Sequence, residues 1–79
     1  MDEKEKIFEM LAELRPEFDY KNSLNFIEDG LLDSFDIVSL TTMLEEFFKV
    51  TIDGMSIVPE NYESVDAILT LVKNSKSVG

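Results

Sequence analysis

Apolar residues recur at helical spacing along three stretches of this chain and lose that spacing between them. Ile7, Met10, Leu11 and Leu14 fall on one face of a helix predicted over Asp2 to Leu14, with Phe8 on its flank. Early acidic residues suit the positive end of that helix, while Pro16 blocks its continuation and pushes Arg15 away from helical angles. A longer central helix is predicted over Ser34 to Lys49. Ile37, Leu40, Thr41, Leu44, Phe47 and Phe48 share its inward side; Phe35, Val38, Ser39, Thr42, Glu45 and Glu46 share the other. A last helix runs from an N-cap at Ser64 to about Lys73, with Val65, Ile68, Leu69 and Val72 as its stripe and Leu71 on its flank.

The connections differ in character. Pro16 to Asp33 is long but carries Phe18, Tyr20, Leu24, Phe26 and Ile27, too much apolar material for a linker. It should lie over the helices with Phe26 and Ile27 as plugs, and it has room for a short helical turn near Ser23. Val50 to Val58 has β-branched residues around Asp53-Gly54, a hairpin signal. With no third strand in view such a hairpin is marginal, so an extended loop is expected, Ile52 and Ile57 turned inward. Pro59 to Tyr62 suits a single helical turn. From Asn74 onward neither periodicity nor caps remain, and fraying is expected. The predicted fold is all-α: a small bundle of three longer helices and one short one with a long first loop. It forms one domain over 1–74 with a frayed tail over 75–79.

Composition narrows the chemistry. With 79 residues the chain supports one small domain, and 44% hydrophobic content allows it a core. Seventeen acidic residues against seven basic give a net charge of −10, which repels a phosphate backbone and attracts a basic partner. Nucleic-acid binding is therefore not expected. No apolar stretch approaches the ~18 residues of a membrane span, and the start, Met1-Asp2-Glu3-Lys4-Glu5-Lys6, has no signal-peptide pattern. A cytoplasmic monomer without membrane insertion is the expectation. The absence of cysteine and histidine removes disulfides, thiolate metal sites, the commonest metal ligand and the usual general base.

The segment Asp29-Gly30-Leu31-Leu32-Asp33-Ser34-Phe35-Asp36 joins the long loop to the central helix. As structure alone, Asp33-Ser34 reads as a helix N-cap. As chemistry, Ser34 has only Asp33 and Asp36 beside it, poor bases at their usual pKa, and no Gly-x-Ser-x-Gly elbow, so a hydrolase is not expected. No P-loop is present. A calcium loop fails as well, since Leu31 stands where an oxygen ligand is needed. What a helix start does offer is unpaired N–H groups and a positive dipole end, a setting for a phosphate carried on the serine. Phe35 and Val38, apolar on the polar side and rimmed by Asp33, Asp36, Glu45 and Glu46, read as a docking patch.

The run Phe26-Ile27-Glu28-Asp29-Gly30-Leu31-Leu32-Asp33-Ser34-Phe35-Asp36 resembles the modification site of acyl carrier proteins, whose core is Asp-Ser-Leu or a close variant. The similarity continues through Val38, Leu40, Leu44, Glu45, Glu46 and Phe48, then Ile52, the Pro59-Glu60-Asn61-Tyr62 turn and Ala67-Ile68. That resemblance implies a carrier and not an enzyme. Ser34 would receive 4′-phosphopantetheine from coenzyme A through a separate, magnesium-dependent phosphopantetheinyl transferase. The arm's thiol would hold an acyl or aminoacyl group as a thioester for loading and transfer enzymes with basic docking patches. Gly30-Leu31-Leu32 before Asp33-Ser34-Phe35 is more similar to D-alanyl carriers and some stand-alone specialised carriers than to fatty-acid ones. Ser39, where housekeeping carriers often have Glu, makes the recognition surface less acidic at that point. The alternative is an unmodified acidic helical module that docks on a basic partner.

Overall fold

A computed structural model describes residues 2–77, and it is mostly helical. Three α-helices form: α1 (Glu3–Leu14), α2 (Ser34–Phe48) and α3 (Val65–Lys73). Each begins on a residue whose side chain satisfies an orphan N–H of the first turn. Asp2 accepts from the Lys4 amide, Asp33 from that of Asp36, and Ser64 from that of Ala67. The core forms where their stripes meet, around Ile7, Met10 and Leu11 of α1, Ile37, Leu40 and Leu44 of α2, and Val65, Ile68, Leu71 and Val72 of α3. In α3 it is Leu71 that is buried, with Leu69 packed at the margin, the reverse of the predicted emphasis.

The long first loop lies over the bundle. Phe26 is fully buried and Ile27 packs at the core's edge, as their apolar character predicts. Tyr20 opens a 3₁₀ turn (Tyr20–Asn22) and is buried too, standing edge-on between Phe18 and Phe26 at centroid distances of 6.2 and 5.5 Å. The Phe26 amide donates to the Glu63 carbonyl at 2.7 Å, pinning the loop beside the start of α3. Asn25 Oδ1 then accepts from the amides of Ile27 and Glu28 to turn the chain. Gly30, at φ +73°, takes the left-handed conformation that directs the chain into the start of α2.

After α2 the chain leaves through Lys49, also left-handed at φ 58°. No hairpin forms about Asp53-Gly54; a 3₁₀ turn (Gly54–Ser56) stands there, followed by another over Pro59–Tyr62 with the proline at its start. Ile52 is buried and Ile57 packs at the core margin. The expectation of a frayed tail needs correction. Ser75 accepts a place at the end of α3, its amide donating to the Val72 carbonyl and its hydroxyl to that of Leu71. This turns the chain so that β2 (Lys76–Ser77) runs antiparallel to β1 (Val50–Thr51), with Val50 opposite Ser77 and Thr51 opposite Lys76. Val50–Thr51 thus pairs with residues distant in sequence and not across a hairpin. The last two residues of the predicted tail lie outside the described residues.

Candidate functional site

The start of α2 combines a closed cap with an exposed serine. Asp33 Oδ1 accepts from the Asp36 amide at 2.9 Å, and Asp36 Oδ2 accepts from the Asp33 amide at 3.2 Å. This reciprocal box satisfies two backbone donors with two carboxylates. Ser34 stands at the first helical position between them, exposed, and its hydroxyl takes no part in the box. The cap read at Asp33-Ser34 therefore belongs to Asp33, and the serine oxygen is left to the solvent side.

Arg15, at the end of α1, joins this site from across the chain. Its Nε donates to Asp36 Oδ1 at 3.3 Å and its Nη2 to Asp33 Oδ2 at 3.4 Å. The chain's one arginine thus faces the residue before the serine and the residue two after it. Sequence reasoning missed this role. The sole signal was a lone guanidinium placed at a helix end by the following proline. The Asp36 amide holds the Asp33 carboxyl below the usual carboxylate range, against the opposing effect of desolvation, with Arg15 and the Phe35 amide adding to the lowering. A depressed value means the cap's ionic contribution is complete at neutral pH and is lost as pH falls through that value.

Two residues assigned to a docking rim belong to the frame instead. Asp36 is only 4% exposed, because the box and Arg15 claim its oxygens. Glu45 is half-buried, its Oε2 accepting from the Ile52 amide at 2.9 Å, where it ties the end of α2 to the strand that follows. A helical wheel counts both as outward because it sees polarity and not a distant partner. Asp33 and Glu46 are exposed as predicted. Phe35 and Val38 are 75% and 59% exposed beside Ser34, a pair of large apolar side chains with no cover. Phe47, expected inward, is 48% exposed.

The anion setting at this helix start is narrower than the sequence implied. Asp33 already takes the Asp36 N–H and leans on that of Phe35, so a phosphate on Ser34 gains the dipole more than free amides. Beneath the site, the Tyr20 hydroxyl is buried without a partner. Burial pushes its pKa up to about 12, helped by the Asp36 and Glu17 carboxylates and opposed by Arg15. Among the described residues no group of His, Cys, Asp and Glu is arranged to hold a metal, and no helix is long and apolar enough to cross a membrane.

No protein-family model matches this chain, and comparison with curated proteins and with solved structures finds no match to it.

Proposed function

We propose that this chain is a stand-alone acyl or aminoacyl carrier whose attachment point for 4′-phosphopantetheine is Ser34. One observation carries the reading. The serine sits exposed at the first position of α2 while its two acidic neighbours do the capping, so its hydroxyl has no structural task to abandon. The exposed Phe35 and Val38 beside it suit a surface that partner enzymes grip. In this reading the Pro59–Tyr62 turn is the short fourth element of a carrier-like bundle, and the molecule works as a cytoplasmic monomer.

The residues present fit the group in a specific way. Ser34 supplies the oxygen that would bond to phosphorus, and the dipole of α2 favours the resulting negative charge. When bound, the arm would supply a thiol that holds cargo as a thioester. The chain itself holds the serine at a fixed helix start through the Asp33–Asp36 box and Arg15. Its nearest carboxylates are poor bases for the serine proton: Asp36 is buried in its pair with Arg15, and the Asp33 carboxylate, held below the usual range, is a weaker proton acceptor than an ordinary one. The proton must therefore leave through the transferase, and the chain stays chemically idle.

The test is intact mass after incubation with coenzyme A, magnesium and a promiscuous phosphopantetheinyl transferase. Wild type should gain one phosphopantetheine and Ser34→Ala none. A folded wild type that gains no mass overturns the carrier reading and leaves the acidic docking module, which the uncovered Phe35 and Val38 would serve equally.

A further inference from the structure

Phe47 is the residue of α2 that neither the core nor the serine face accounts for. It lies about 20 Å along the helix axis from Ser34, on the flank turned to α1. A groove of about 320 Å³ opens there, lined by Lys6, Met10 and Glu13 of α1 and Met43, Glu46 and Phe47 of α2. Its floor is two methionines and an aromatic edge, a surface that adapts to more than one apolar shape. The Phe47 ring is braced edge-on by Phe48 at 5.0 Å, and the Lys6 ammonium stands 4.7 Å above it. This volume falls at the bottom of the roughly 300–1,000 Å³ span of small-molecule sites. The groove is open along its length, a shape for a protruding side chain rather than an enclosed ligand.

Charge decides which kind of side chain. Glu13 and Glu46 rim the groove, both exposed, and among the described residues neither has an ion-pair partner. Lys6, the one cation there, is shared with Glu9 at 3.7 Å. A second copy of this chain would bring another net −10 against these carboxylates. The chain's own tail is occupied at β1.

We propose that this groove is a second docking surface, and that it takes a basic amphipathic helix of another protein. One bulky apolar residue of that helix would pack on Met10, Met43 and Phe47, while Lys or Arg a turn away would pair with Glu13 and Glu46. Glu46, counted on the rim of the Phe35 patch from sequence, borders this groove; the apolar lining of Met10, Met43 and Phe47 is distinct from Phe35 and Val38 and does not depend on Ser34 being modified.

Methyl-labelled methionine makes the test direct, because Met55 is exposed outside the groove and serves as an internal reference. The probe is a synthetic amphipathic Leu/Lys helical peptide, and its Leu/Glu counterpart is the control. Titrating the full chain with the Lys peptide should shift the Met10 and Met43 methyl signals saturably and leave Met55 in place. The Glu13→Gln/Glu46→Gln double variant, changed only at exposed positions, should bind about tenfold more weakly. Phe47→Ala should do likewise, and Phe35→Ala should bind as wild type does. A shift at Met55, weaker binding by Phe35→Ala, equal binding by the double variant, or no binding at all would overturn the proposal. So would methyl shifts that follow protein concentration without peptide, which would make a second copy the occupant.

Discussion

The two faces of α2 carry similar side chains to opposite ends. Ile37, Leu40 and Leu44 are buried in the core they share with α1 and α3, while Phe35 and Val38 on the other face are mostly in water. Burying a side chain of this size is worth roughly 1.5–3 kcal/mol, so the inner residues hold the domain together and the outer ones add little to it. Polar residues divide the same way. Thr41 and Asp36 are buried, Thr41 with its hydroxyl shared between the Ile37 carbonyl and Tyr62, whereas Ser34 beside them is free. Residue type does not decide which positions hold the fold and which are open to a partner. Contacts from other elements do.

The largest break in that comparison comes from the inner face. Leu44→Ala removes a fully buried side chain from the meeting point of the helices and should cost about 2–5 kcal/mol. In a domain this small that is a large share of the total stability. Urea denaturation of the two proteins gives the difference directly. A loss under 1 kcal/mol (roughly the scale of an exposed site) would mean that α2 is not packed as described.

Asp36 tests whether a polar residue can belong to the inner class. As a docking carboxylate it would be replaceable; as half of a capping box and the partner of Arg15 it is not. Asp36→Ala should cost about 1–3 kcal/mol, from the lost bond to the Asp33 amide and a guanidinium left half-paired. The same denaturation experiment reads it. An unchanged midpoint would return Asp36 to the surface and weaken the description of the site.

The helices were legible because their apolar residues repeat at 3.6 positions and because Ser64 and Pro16 mark ends by local chemistry alone. The burial of Phe26 was legible from its own character. Asp36 and Glu45 were not, since their partners, Arg15 and the Ile52 amide, lie 21 and 7 residues away and leave no mark on the helix's own pattern. Phe47 defied its stripe because it falls at the edge facing α1, where Lys6 and Met10 leave a groove instead of closing over the ring. The pairing of Lys76–Ser77 with Val50–Thr51 was invisible for a simpler reason. Two-residue strands bury almost nothing on the tail side, so no periodicity records them.

Phe35 gives the smallest expected change in stability and the most specific one in behaviour. Its side chain is three-quarters exposed, and truncation removes almost no buried area. Phe35→Ala should therefore stay within about 0.5 kcal/mol of wild type in urea. The carrier reading requires more than indifference at this position, because a transferase that reaches Ser34 must also meet its neighbour. Initial rates of phosphopantetheine transfer should fall for Phe35→Ala mainly through a raised KM for the protein substrate, with kcat less affected, since uniform binding is what an outlying contact supplies. Equal KM values for the two proteins would show that Phe35 is merely exposed, and the docking patch would then have to be sought elsewhere on the molecule.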